Sequence, residues 1–321
     1  MKKLIIILFL YSNLFSYSLI DYYRANGSYN IGKTAEKLLK SKDFWLKRLK
    51  NYDTDFGYYE NLNNLIIVNK NFQSLDLYRL KNEQFELIQT ADILIGKNQG
   101  YKAIEGDKKT PTGVYNLTKR LYKLNQFYGP LAIVLSYPNL FDRLKGRTGS
   151  GIWIHGKPLN GAKRDSYTKG CVALENSRLK KFNRLVKDVQ KSLIILEDGQ
   201  LKKVSKNDLA TVLSSIYIWL ASWKENRFSK YIGFYSKEFK RFDGNGLKWF
   251  RDYKRSIFKK REKKKIFITD INISPYPNNY GRNMFLVSFQ EEYRTSKFTW
   301  KGKKKLFVEV INRKMKIVIE K

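Results

Sequence analysis

Between residues 62 and 197 the chain breaks into short apolar or alternating runs separated by turn residues, a pattern that fits packed β-strands and little else. Leu65-Ile66-Ile67-Val68 is continuously apolar, Ser74-Leu75-Asp76-Leu77-Tyr78 alternates, and Phe85-Glu86-Leu87-Ile88 follows a polar turn around Asn82. Ile93-Leu94-Ile95-Gly96 comes next, then a charged, glycine-bearing loop ending in Thr110-Pro111-Thr112-Gly113. Leu131 to Ser136, Gly151 to His155 and Leu193 to Leu196 complete the series. Runs of this length bounded by Gly, Pro, Asn and Asp are strand signals. One helix is predicted among them, from about 178 to 190, with Asn176 and Ser177 as candidate N-caps and Leu179, Phe182, Leu185, Val186 and Val189 on one face.

The flanks read differently. Residues 19–61 are polar with helical stretches such as Thr34 to Leu39, and are too few to bury a core of their own. They are expected to pack on a neighbouring domain or on a second copy of the chain, which makes a homodimer a candidate. Residues 200–321 begin with a helix carrying Val212, Ile216, Trp219, Leu220 and Trp223, followed by an aromatic-rich segment from Tyr231 to Phe258. Strands are then predicted at Ile266 to Ile273, Asn283 to Tyr293, Phe298 to Trp300, Leu306 to Ile311 and Lys314 to Ile319. Helices followed by a run of strands predict a separate α+β domain, and 321 residues suit two or three such units.

Met1-Lys2-Lys3, the apolar run Leu4 to Leu10 and the small residues of Ser16-Tyr17-Ser18 form the pattern of a secretory signal over residues 1–18. The apolar run falls short of the ~20 residues a membrane span needs, so the chain is expected in the periplasm. Its 63 Lys and Arg against 29 Asp and Glu give a formal net charge of +34, a field that attracts polyanions. The lysine-rich stretches at 259–265 and 301–305 resemble a nucleic-acid footprint. Export and a general bias towards Lys, Asn, Ile and Tyr argue against nucleic acid and favour an anionic wall polymer.

The chain has one histidine and one cysteine, His155 and Cys171. A thiol becomes a strong nucleophile as a thiolate, and a neighbouring imidazole lowers its pKa from roughly 8.5. Read singly, each residue suits a structural role. Their surroundings point the other way. Alternation through Gly151-Ile152-Trp153-Ile154-His155 puts Ile152 and Ile154 on one face and Trp153 and His155 on the other, with Gly156 and Pro158 ending the strand. Thr168-Lys169-Gly170 is too polar for a deep core, and the glycine before Cys171 lets backbone approach a substrate carbonyl. One His and one Cys do not make a zinc-hydrolase ligand set, so no metal or other cofactor is expected.

His155-Gly156, Thr168-Lys169-Gly170-Cys171 and the upstream Thr110-Pro111-Thr112-Gly113 together resemble the L,D-transpeptidase catalytic (YkuD) family over roughly residues 62–197. Lys169 stands where that family usually has histidine, and Ala173 where it usually has Arg or Asn. Tyr128-Gly129-Pro130, Tyr137-Pro138-Asn139 and the whole layout are similar to the cell-shape-determining L,D-carboxypeptidases of helical Gram-negative bacteria. That resemblance implies a signal at 1–18, a helical segment at 19–61, a mainly β catalytic domain (a sandwich with short helices) at 62–199 and an NTF2-like α+β domain at 200–321.

It also implies a mechanism. Cys171 attacks the carbonyl next to the terminal D-Ala of a peptidoglycan stem peptide, His155 moves the proton, and the Gly156 carbonyl orients the imidazole. Gly170 and Cys171 are the expected backbone oxyanion donors, with Lys169, Arg164, Thr168 and Tyr128 as candidate substrate contacts. Hydrolysis of the thioester gives a carboxypeptidase; capture by an amine gives a transpeptidase with 3–3 crosslinks. A third alternative is an inactive wall-binding protein. The C-terminal domain is expected to take a wall or protein ligand.

Overall fold

Thr34 to Leu39 lie in a longer helix. The computed structural model describes residues 15–161, 165–199 and 201–321, so most of the expected export signal lies outside the described residues. Helix α1 (Phe15–Leu39) breaks at Gly27, where φ is 69° and ψ 169°. Helix α2 (Lys42–Arg48) is capped by the Ser41 hydroxyl, which accepts the Phe44 N–H at 3.3 Å. Trp45 and Leu49, four residues apart, share a face and are buried. With Tyr52 and Tyr58 they join the core of the C-terminal part, where Trp45 stacks on Tyr217 at 5.9 Å between centroids. Of the two partners expected for this segment, the described structure shows the neighbouring part of the same chain. Strand β1 (Tyr58–Tyr59) even extends the C-terminal sheet. Among the described residues no helix is long and apolar enough to cross a membrane.

The central strands are β2 (Asn64–Asn69), β3 (Ser74–Lys81), β4 (Gln84–Leu94), β5 (Gly113–Leu121), β6 (Ala132–Leu135), β7 (Trp153–His155), β8 (Val172–Leu174) and β9 (Ser192–Glu197). Helix α3 (Leu140–Leu144) follows β6, and α4 (Asn176–Leu185) follows β8. Two sheets share β4 and β5, so the sandwich closes in the order β2-β3-β4-β8-β7-β6-β5-β9. Closure leaves no strand edge unpaired within this ring. Ile66, Leu77, Ala91, Ile133, Ile154, Val172 and Ile194 point inward and form its core with Leu179 and Phe182 of α4.

Two sequence readings shift here. The runs at 85–88 and 93–96 mostly merge into β4, because Gln89 and Ala91 continue the inward alternation between them; the buried Gln89 donates from Nε2 to the Arg178 carbonyl at 3.1 Å. The helix predicted to 190 ends at Leu185. Arg120 takes its place: its guanidinium donates to Asn183 Oδ1 at 2.7 Å and to the Val186 carbonyl, drawing the chain out of helical geometry.

The C-terminal part comprises α5 (Lys206–Lys224), α6 (Phe228–Ile232), β10 (Tyr235–Arg241), α7 (Leu247–Lys259), β11 (Lys265–Pro275), β12 (Met284–Arg294), β13 (Thr299–Ile311) and β14 (Lys314–Glu320). Its sheet runs β1-β11-β12-β13-β14-β10, and the runs read separately at 298–300 and 306–311 form one long β13. Helix α5 buries Leu209, Leu213, Ile216, Trp219 and Trp223 against the sheet. Charges lie buried in the same interior. Lys304 pairs with Glu320 at 2.5 Å, and Lys254 sits 3.9 Å from the Trp223 ring centroid, its ammonium pushed down to about 8 by burial.

A third apolar cluster joins the two parts. Leu65, Ile67, Val114 and Ile195 from the outer face of the barrel meet Met284, Leu286, Phe307 and Ile319 from the outer face of the C-terminal sheet. Phe307, 1% exposed, packs on Phe141 at 5.6 Å and Tyr276 at 5.1 Å. Phe307→Ala is expected to lower the stability of the chain by about 3–5 kcal/mol in urea unfolding. A loss under about 1 kcal/mol would mean that the two parts do not rely on this joint.

Candidate active site

The alternation that sends Ile154 inward turns His155 the other way. Strands β7 and β8 pair in parallel, with Ile154 opposite Val172 and His155 opposite Ala173. Ile154 and Val172 belong to the interior cluster, so His155 and Ala173 share the opposite face. Cys171, two residues before Ala173, continues that face as the diagonal neighbour of His155, within reach of a side chain across adjacent strands. The register thus puts Cys171, one residue before β8, next in line on the face that carries His155.

His155 is only 1% exposed. Its Nδ1 lies 2.7 Å from the Gly156 carbonyl oxygen. A carbonyl only accepts, so the proton of the neutral ring belongs on Nδ1 and the lone pair on Nε2. The Tyr128 ring stands edge-to-face on the imidazole at 5.2 Å and on Trp153 at 5.1 Å, forming one wall. The Gly156 N–H donates to the Tyr128 carbonyl at 2.9 Å, which ties that wall to the turn after β7.

Cys171 is half-buried, and its Sγ lies 3.5 Å from the Gly151 carbonyl oxygen, within range of a weak S–H donor. The loop before it is braced from below. Thr168 donates its hydroxyl proton to the Cys171 carbonyl at 2.7 Å and accepts the Gly170 N–H at 2.9 Å. Gly170 has φ 130°, and a Cβ there would stand 2.8 Å from the Lys109 carbonyl, so both conformation and space require glycine.

The upstream turn is part of the same framework. Thr110 accepts the Gly96 N–H at 2.8 Å, and the segment so held receives the Thr168 N–H on Ile95 O at 2.6 Å and donates Lys97 N–H to Thr168 O at 3.0 Å. Thr112 accepts from Lys70 Nζ at 2.9 Å and donates to Asp198 at 2.8 Å. Burial lowers the Lys70 ammonium, with Asp198 opposing that shift. The Thr-Pro-Thr-Gly turn is therefore a support for the Cys171 loop.

Several expectations change. Thr168, a candidate substrate contact, is 3% exposed with its hydroxyl engaged on both sides, so it is a brace of the loop. The Gly170 N–H, an expected oxyanion donor, already donates to that hydroxyl, which leaves the Cys171 N–H as the candidate of the pair. Lys169 is exposed beside the loop, and Arg164 lies outside the described residues. Asn176, read as a helix cap, is the first residue of α4; Glu175 holds the cap position, and the Asn176 amide bonds to the backbone of Lys157 instead. Among the described residues no three His, Cys, Asp or Glu side chains converge as a metal cage would require.

The L,D-transpeptidase catalytic domain (YkuD) matches residues 63–201, and the Cds6 C-terminal NTF2-like domain matches residues 211–321. The chain is 37% identical to Pgp2 of Campylobacter jejuni, a helical cell shape determining protein. The crystal structure of Pgp2 superposes with a TM-score of 0.83, over 88% of this chain and 99% of that one. The chain belongs to the L,D-transpeptidase (YkuD) family. Its YkuD domain carries the sandwich, and the NTF2-like domain the C-terminal sheet. Bd1075 of Bdellovibrio bacteriovorus also matches, with TM-score 0.63 and 27% identity, over 81% of this chain and 92% of that one. YafK of Escherichia coli K12, which bears the L,D-transpeptidase designation, is 30% identical over 118 residues, 36% of this chain; the chain spans 44% of that relative.

Gly170→Ala tests the geometry of the loop. Strain at a positive φ together with the Lys109 contact is expected to cost about 1–3 kcal/mol of stability in denaturant unfolding. An unchanged midpoint would mean that the loop before Cys171 is not held as described.

Proposed function

We propose that the chain is a peptidoglycan L,D-carboxypeptidase that removes the terminal D-Ala from tetrapeptide stems through a thioester on Cys171. The observation that carries this reading is the placement of His155 and Cys171 on one face of the β7–β8 pair, with the imidazole presenting Nε2 because Nδ1 is engaged by Gly156. His155 Nε2 takes the thiol proton as sulfur attacks the carbonyl preceding D-Ala. The tetrahedral oxyanion draws on the Cys171 N–H. Collapse breaks the C–N bond, the departing amine takes the proton from His155, and a thioester remains. Water, deprotonated by His155, then attacks the thioester; the stem leaves as a carboxylate and sulfur regains its proton.

The hydrolytic outcome is favoured by similarity to Pgp2, whose name ties it to helical cell shape, and by the shared two-domain layout. On this reading the protein works in the periplasm, its N-terminal residues act as an export signal, and trimming to tripeptides influences cell shape. Lys169 and Arg164 are proposed to meet stem-peptide carboxylates, and Tyr128 to wall the cleft.

The test is mass spectrometry of purified tetrapeptide muropeptides incubated with the protein. Loss of one alanine per stem is expected with the native chain and none with Cys171→Ala or His155→Ala. Crosslinked dimers would make the chain a transpeptidase. Turnover by Cys171→Ala at near-native rate would sink the assignment of the nucleophile, and no change in any sample would leave a wall-binding protein.

A further inference from the structure

We infer that Asn176 is the positioning residue that sets the tautomer of His155, acting through the Gly156–Lys157 peptide. This rests on the proposed role of His155 in catalysis, but its geometry stands by itself. The Asn176 Oδ1 accepts the Lys157 N–H at 2.9 Å, and its Nδ2 donates to the Lys157 carbonyl at 3.0 Å. The backbone N–H only donates, so the amide orientation is fixed by its partners.

The consequence follows from peptide planarity. The Lys157 N–H and the Gly156 C=O belong to one planar trans unit and point in opposite directions. Holding the N–H on Asn176 therefore aims the carbonyl away from Asn176. In this structure its oxygen points to His155 Nδ1, 2.7 Å distant. One side chain on α4 thus determines where the proton of the imidazole sits, two residues removed in sequence from the group it grips.

The packing supports the same role. A Cβ on Gly156 would lie 2.1 Å from Asn176 Oδ1 and 3.2 Å from Gly129 Cα, and one on Gly129 would lie 2.7 Å from the same oxygen. Both glycines leave room for the Asn176 amide to reach the turn. Gly129, at φ 76°, also carries the chain from Tyr128 into that contact. A residue serving only as a helix cap would not need two glycines cleared around it.

The chain contains one imidazole, so its ring nitrogens give a single set of signals in 15N NMR of the full chain. The native protein is expected to show the Nδ1-protonated tautomer at pH values where the ring is neutral. Asn176→Ala should give a mixture of tautomers and faster exchange of the Nδ1 proton. It should also lower kcat/KM for D-Ala release by on the order of tenfold to a hundredfold. Asn176→Ser, whose hydroxyl is too short to reach both Lys157 groups and which suits the start of a helix, should do the same. It decides the matter if the alanine variant does not fold. A folded variant with the native tautomer, native proton exchange and native rate would overturn the inference. If the native chain releases no D-Ala, the hydrolase reading fails while the imidazole spectrum still decides the role of Asn176.

Discussion

Three residues of β7 run parallel to three of β8, and the chemistry assigned to the molecule depends on which way their side chains alternate. Ile154 and Val172 commit one face of the pair to the apolar interior, and the period of two then forces His155 and Cys171 onto the other. A slip of one residue in either strand would turn one of these two side chains toward the apolar interior. The facing of His155 and Cys171 is thus specified by hydrophobic burial, which is strong and non-directional, and refined by a few hydrogen bonds, which are directional.

Those hydrogen bonds converge on the two loops that follow and precede the pair. Thr110 holds the strand end at Gly96, that strand end holds Thr168, and Thr168 holds both Gly170 and Cys171. On the other side, Tyr128 and the Lys157 backbone fix the turn after His155. Three motifs far apart in sequence form one braced unit, and glycine occurs where those braces come too close for a Cβ. The NTF2-like domain lies against the opposite side of the barrel through Phe307 and its neighbours and contributes none of the groups described around His155 and Cys171.

Much of this was legible in the sequence, for identifiable reasons. The strands at 65–68, 131–136 and 193–196 are apolar, bounded by turn residues and buried on closure, so pattern alone located them. His155 and Cys171 stood out because each residue type occurs once. What stayed hidden depends on contacts between distant residues. The role of Thr168 needed the position of the Gly170 N–H, and that of Asn176 needed the turn at Lys157, since an Asn before a helix reads equally well as a cap. Arg120 ended α4 early by drawing on carbonyls sixty-odd residues away. Strand β10 was missed because its alternation, Tyr235 and Phe239 inward among charged residues, sits within an aromatic-rich stretch that reads as helical.

The account turns on a covalent step at Cys171, and the direct test is intact-protein mass spectrometry after rapid acid quench of the full chain with a tetrapeptide muropeptide. The account predicts a transient adduct whose mass equals the muropeptide acyl group after loss of D-Ala, mapped to Cys171 and absent in Cys171→Ala. Release of D-Ala with no such adduct at any time point, or an adduct on another residue, would contradict it.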